Sequence, residues 1–353
     1  MRAWAARAAP DWNAVGRLAY RARVAPLLHR AWRDEPFVPA RLQSTLRQAY
    51  LQTGWRNLVV LRELAIAVAA LEAAGVPSIV LKGAALLESV YRNIALRPLA
   101  DVDLLVRREH LERALTVLTG CGFATGRPEL RRGAAGAYEN QLPLFKQGRA
   151  SLPLELHWSL FDSPFYQQGL DLVWCWQAAR PLPGGPSAAR MLDPVAQLLH
   201  LCGHLVLHHG GVDLLWEHDI AEFVVLYGEE VDWSALLDRA VASNLVIPVK
   251  SLLPRIAVED AVPIPPAVLE RLQRLQPSRD EQRIAAKLTA PQPGVARRFW
   301  IDVASMTGWH TRVGYAWTHL FPSAAYMRAR YQVRHRLLLP LYYPYRWLRG
   351  LRG

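Results

Sequence analysis

Apolar residues in the first part of the chain recur at helical spacing. Leu42, Leu46, Leu51, Leu58, Leu61, Leu64 and Leu71 suit one long helix face, so residues 12–74 are expected to be helical. The period breaks at Gly75-Val-Pro77. Ser78-Ile-Val-Leu81 then forms a short apolar run, as a buried strand would. Lys82-Gly83 turns the chain into a second helical run, AALLESVY. A loop from Arg92 to Ala100 leads to Val102–Val106, where alternation gives way to an apolar end and predicts another strand. Arg108 to Cys121 is an amphipathic helix that Gly122 ends. Beyond Phe123, Tyr138–Lys146 and Ser151–Trp158 read as two strands separated by a turn at Gln147-Gly-Arg149. After the Pro/Gly-rich break RPLPGGPS (180–187) the remainder reads almost wholly as helices.

The expected fold class is therefore α+β. A small mixed-sheet core at 75–162, in the order β-α-β-α-β-β, is flanked by an N-terminal helical segment at 1–74 and a large C-terminal helical domain at 163–353. With 353 residues, 52% of them hydrophobic, the chain has ample material for a core and is neither disordered nor fibrous. Lys and Arg number 42 against 30 Asp and Glu, a net +12 that admits nucleotides, nucleic acid or an anionic membrane without selecting one. Cys121, Cys175 and Cys202 have no paired spacing, so no disulfide framework is expected and a reducing cytoplasm is the expected location. The opening MRAWAARAAPDW lacks a continuous apolar stretch, and no run of about 18 uncharged apolar residues occurs, so neither a signal peptide nor a transmembrane helix is expected.

Chemistry enters with Asp101 and Asp103 in RPLADVDLLV. On a strand, residues i and i+2 share a face, so both carboxylates converge. Two carboxylates forced together beside an apolar strand are costly unless a cation lies between them. Magnesium suits such oxygen ligands and commonly shares them with substrate phosphates. An isolated Asp-x-Asp is more often a solvated strand start; the residues before it change that reading. Gly83, at a strand-to-helix turn, lets backbone approach a phosphate, and the helix start offers free N–H groups. Lys82 adds a point charge, and Arg97 a fork for phosphate oxygens.

The run VLKGAALLESVYRNIALRPLADVDLLV resembles the polymerase-β-like nucleotidyltransferase superfamily. More narrowly, it is similar to an uncharacterised bacterial nucleotidyltransferase family, with related patterns in aminoglycoside adenylyltransferases and in nucleotidyltransferase-type toxins. The likeness extends through LELHWSL (154–160), HLCGHLVLHH and WEHDIAEFV (within 200–224) and FPSAAYMRARY (321–331). It implies a turn at Lys82-Gly83-Ala84 that binds phosphate, although Ala84 stands where the superfamily usually has Gly or Ser, so no hydroxyl is offered there. It further implies a third acid on a later strand. Glu155 is the best candidate, with His157 on the same face and Glu139 and Asp162 as weaker ones. Asp101, Asp103 and Glu155 would then hold two magnesium ions, with ATP as the expected triphosphate.

Two further clusters carry less. His200, His204 and His208 fall on one helix face near His209, Asp213, His218 and Asp219, but lack the H-E-x-x-H arrangement of a zinc enzyme. They suit a wall facing the active site, or hydrogen-bonded core positions. The C-terminal HRLLLPLYYPYRWLRGLRG mixes Arg, Leu and aromatic residues, which suits peripheral membrane contact, RNA stacking, or a basic helix packed on its own domain. The leading function is transfer of a nucleoside monophosphate to a small-molecule or peptide acceptor. The alternatives are a toxin-like enzyme acting on transfer RNA and an inactive nucleotide-binding module.

Overall fold

The computed structural model describes residues 10–126, 128–131, 133–146, 152–289 and 295–351. Helix α1 (Trp12–Arg21) is capped by Asp11, whose carboxylate accepts from Asn13 N and Ala14 N. Arg23, in left-handed backbone at φ 62°, turns the chain into α2 (Ala25–Trp32). Helix α3 (Ala40–Ala73) then runs for 34 residues. Its first half buries Leu42 and Leu46 among Ala19, Val24 and Trp32, while its second half buries Leu64 and Leu71 in the main core. Leu51 and Leu58, between the two contacts, are exposed. One face of so long a helix thus serves two packing partners and is not apolar throughout.

Strand β1 (Ser78–Leu81) leads into α4 (Lys82–Leu86), a wider π-type turn at Leu87–Tyr91, and β2 (Val102–Val106). Next come α5 (Leu111–Gly120), β3 (Phe123–Thr125), α6 (Ala134–Tyr138), β4 (Gln141–Lys146) and β5 (Leu152–His157). Helices α7 (Pro164–Gly169) and α8 (Leu172–Ala178) precede the two-residue strands β6 (Arg180–Pro181) and β7 (Arg190–Met191). Helices α9 (Pro194–His209) and α10 (Leu214–Tyr227) open a helical region that continues to Leu351.

The seven strands form one mixed sheet in the order β3-β4-β5-β2-β1-β7-β6. Strand β2 lies at its centre, antiparallel to β1 and parallel to β5. All five of its residues are buried, which is why an apolar run follows Asp103 instead of strict alternation. Two details differ from the sequence expectation. The strand expected from Tyr138 starts at Gln141, because Gly133 at φ 76° opens a short helix that carries Tyr138. The sheet also continues past residue 162: the RPLPGGPS break folds back as a hairpin, with Leu182 N donating to Ala189 O, and places β7 beside β1. The expected turn at 147–149 lies outside the described residues.

No helix among the described residues is long and apolar enough to cross a membrane. The C-terminal helix Leu339–Leu351 caps its own neighbour. Trp347 Nε1 donates to Leu320 O and Arg346 Nη2 to His319 O, carbonyls at the end of helix Trp309–Leu320.

The loop before β2 is held from below by Asn57, a fully buried amide in the middle of α3. Its Nδ2 donates to Ile94 O and Arg97 O at 2.7 Å each, and its Oδ1 accepts from Leu99 N at 3.2 Å. This one side chain satisfies three backbone groups that no helix or strand ladder reaches. Asn57→Ala should therefore lower stability by about 2–4 kcal/mol, through the groups left unpaired in the interior. Chemical denaturation of the purified variant checks this, and a wild-type midpoint would refute the clamp.

Candidate active site

Strand register assembles the centre of the site. Asp103 of β2 pairs with Leu81 of β1 on one side and with Glu155 of β5 on the other. His157, two residues after Glu155, shares its face. One ligand atom from each of Asp103, Glu155 and His157 lies within 4.8 Å of the others. His157 Nε2 is 2.8 Å from Asp103 Oδ1 and 3.6 Å from Glu155 Oε2. Gln141 of β4 donates to Glu155 Oε2 at 2.8 Å and so orients it. Asp101, just before β2, faces the same cavity.

Lys82 reaches this centre from the turn after β1. It stands in left-handed backbone at φ 46°, an uncommon state for a residue with a side chain. That turn aims its ammonium at Asp103 Oδ1, 2.8 Å away, with both groups buried. Burial alone pushes the Asp103 carboxyl up. The Lys82 ammonium, and hydrogen bonds from His157 and Lys82, outweigh burial and hold it well below the usual carboxylate range. Among the described residues Asp101 has no bonded cation, and the pull of Lys82 and Arg97 is the weaker influence on it. Burial first, then repulsion from Asp103 and Glu155, raises it to about 6. The two aspartates of one Asp-x-Asp are thus electrostatically unlike.

Arg97 has a different place from the one its sequence position suggests. Its guanidinium is buried and doubly bonded to Asp219 of α10, with Nε to Oδ1 at 2.9 Å and Nη2 to Oδ2 at 2.7 Å. Tyr91 OH donates to the same carboxylate at 2.7 Å. Trp216 lies over the guanidinium, 5.4 Å from its ring centre. Gly83 makes room for this arrangement: a Cβ there would come within 2.8 Å of Arg97 Cζ and closer still to Nη1. The glycine therefore serves a close side-chain approach. Gly83 and Ala84 are both buried in α4, and neither they nor Arg97 line the cavity.

The cavity holds about 350 Å³. Its carboxylate floor faces His204, His208 and His209 of α9, Trp216 of α10, and Arg23. The expected histidine face does turn toward the carboxylates. His200, one turn earlier, is a core residue with neither ring nitrogen hydrogen-bonded among the described residues. Burial lowers the pKa of all four, and the nearby Lys82 charge lowers it further. His208 Nδ1 lies 3.3 Å from Asp162 Oδ2. Asp162 also borders an adjoining chamber lined by Tyr138, Asn140, Gln141, Asp302 and Tyr315. Glu139 belongs to that chamber and not to the central cluster. Arg23, Trp216 and Asn57 were not singled out in the sequence, and Asp219 only as a neighbour of the histidine face, because each acts on residues far away along the chain.

Residues 8–254 match the profile of a protein family described as "uncharacterised nucleotidyltransferase". No curated protein matches the chain.

Two outcomes follow from these charges. Asp219→Ala leaves the Arg97 guanidinium buried without its partner and should cost about 3–5 kcal/mol, readable as a fall in denaturation midpoint. For Asp101 the raised pKa means that the folded state favours the protonated form. Its contribution to stability is complete below 3.8 and is lost as pH rises through about 6. Metal-free Asp101→Asn should thus exceed wild type by about 1–2 kcal/mol above that range, after allowance for partial exposure. The two should converge as pH falls toward 3.8. A pH-independent difference would rule out this origin.

Proposed function

The chain belongs to this nucleotidyltransferase family, and on that premise we propose that it moves a nucleoside monophosphate from a triphosphate, ATP first among them, to a hydroxyl on a small-molecule or peptide acceptor. The observation that carries the reading is the convergence of Asp103, Glu155 and His157 beside Asp101 at the floor of one cavity. In the step, the acceptor oxygen bonds to the α-phosphorus as the bond from that phosphorus to the bridging oxygen breaks. The electron pair leaves with pyrophosphate, and the hydroxyl proton passes to a carboxylate of the site.

The donor set fits a divalent cation. Asp103 and Glu155 offer carboxylate oxygens with Asp101 adjacent, while His157 Nε2 is engaged with Asp103 Oδ1 and orients that carboxylate. Asp103 Oδ2 has no hydrogen-bond partner among the described residues, so it remains open for coordination while Lys82 and His157 occupy Oδ1. Magnesium bound there would supply positive charge to the phosphate oxygens as the pentacoordinate state forms. Lys82 holds Asp103 ionised and thereby keeps that ligand ready at neutral pH. Gln141 fixes the rotamer of Glu155.

One feature favours catalysis over an inactive module. Asp101 is kept in a setting that opposes its ionisation, a cost that a retired nucleotide-binding module has no reason to retain. The chamber beyond Gln141, where Asp162 and Asp302 stand beside Arg298, offers charged and hydrogen-bonding groups of both signs to a polar acceptor.

The test is transfer of label from α-³²P triphosphates, with magnesium and a cell extract, by wild type and by Asp101→Ala/Asp103→Ala. Wild type should label an acceptor, and the double variant should lose at least about a thousandfold in rate. No transfer from any triphosphate, together with no magnesium-dependent nucleotide binding, would refute the enzyme reading. Equal transfer by the double variant would refute the site.

A further inference from the structure

A triphosphate brings several negative charges, and the two cations expected to meet them are already engaged. Lys82 is bound to Asp103 and Arg97 to Asp219, both inside the protein. Among the described residues, the only Lys or Arg side chains lining the carboxylate cavity are Lys82 and Arg23. Both stand in left-handed backbone, at φ 46° and 62°, a conformation that residues with side chains seldom adopt and that gathers at functional sites.

Arg23 is built to point where it does. The turn between α1 and α2 is closed by Ala22 N to Leu18 O and Val24 N to Ala19 O. Arg23 Nη2 is anchored 2.7 Å from Asp213 Oδ2, while Asp213 Oδ1 caps α10. The guanidinium nitrogens Nε and Nη1 have no partner among the described residues, so a fork of donors remains free. The same side chain borders a second cavity of about 390 Å³, which meets the first at Arg23 and at Ala100, the residue before Asp101. That size lies within the range of small-ligand pockets, about 300–1,000 Å³. Its polar wall comprises Tyr20, Gln52, Thr53 and Arg56 with no acidic side chain among the lining residues, and Arg56 has no acidic partner among the described ones. In the chamber on the other side of the carboxylates Asp162 and Asp302 stand with Arg298, 3.6 Å from Asp162. Only the α1–α3 end is thus lined by arginine with no acid among its lining residues.

We propose that the chamber of Arg23 and Arg56 binds the β- and γ-phosphates of the triphosphate and receives the pyrophosphate; the proposal rests on the nucleotidyltransferase reading. As the α-phosphorus bonds to the acceptor oxygen, the electron pair of the breaking bond passes to pyrophosphate. The two guanidiniums meet that charge where it develops. The nucleotide lies with its phosphate tail toward the N-terminal helices, and the acceptor approaches from the opposite chamber, beyond Gln141.

Calorimetric titration of the full chain with inorganic tripolyphosphate and magnesium isolates the phosphate contacts from base and sugar. Wild type should bind. Arg23→Gln and Arg56→Gln should each weaken binding about tenfold and flatten its salt dependence. Arg271→Gln, which removes an equal charge from a surface pair with Asp238, should leave it unchanged. Affinity for a nucleoside monophosphate should be the same in wild type and both cavity variants; an equal loss there would mean that the chamber holds a single phosphate ester, and would overturn the proposal. So would absence of tripolyphosphate binding by wild type, or unchanged affinity in Arg56→Gln. The last decides even where loss of the Asp213 contact unfolds Arg23→Gln. Label transfer by wild type alongside undiminished tripolyphosphate binding by the variants would sink this placement alone, whereas neither transfer nor magnesium-dependent nucleotide binding by wild type would sink the reading beneath it.

Discussion

The ion pair between Arg97 and Asp219 is the contact on which the site depends. It joins the loop before β2, which carries Asp101, to helix α10, more than a hundred residues later. Both groups are removed from water, so each is tolerable only in the other's presence. The pair also shapes what surrounds it. Gly83 must lack a side chain to admit the guanidinium, Trp216 covers its outer face, and Tyr91 at the end of the π-type turn completes the carboxylate's bonds. Asn57 holds the same loop from α3. Strand, turn, N-terminal helix and C-terminal helical region thus meet at one buried charge.

Within that frame the carboxylates are divided by their surroundings. Asp103 is neutralised by Lys82 and His157 and stays ionised; Asp101, raised by burial and then by the neighbouring carboxylates, gives up its proton less readily. A site held together this way is asymmetric before any substrate arrives. A cation entering beside Asp101 relieves a repulsion that the fold maintains, which gives metal binding a physical driving force beyond the donor atoms themselves.

Much of this was legible in the chain. The apolar period placed α3, β1, β2 and α5, and the even spacing of Asp101 and Asp103 aimed both at one cavity. Glu155 and His157 were readable as one face of a later strand, and the register beside Asp103 agrees. Other readings depended on distance along the chain. The strand expected from Tyr138 begins at Gln141 because a glycine starts a helical turn there. The Pro/Gly-rich run at 180–187 became a hairpin on the sheet, since a free edge beside β1 offered it hydrogen bonds.

The chain by itself determined the local order and the convergence of the carboxylates, because strand period, turn residues and carboxylate spacing are properties of neighbours. Only the tertiary structure decided which charges are available. Arg97, next to the aspartates in sequence, is committed to Asp219, while Arg23, some eighty residues upstream, reaches the cavity. Partners for a buried charge are chosen by packing in three dimensions, where the penalty for leaving it unpaired exceeds any local preference.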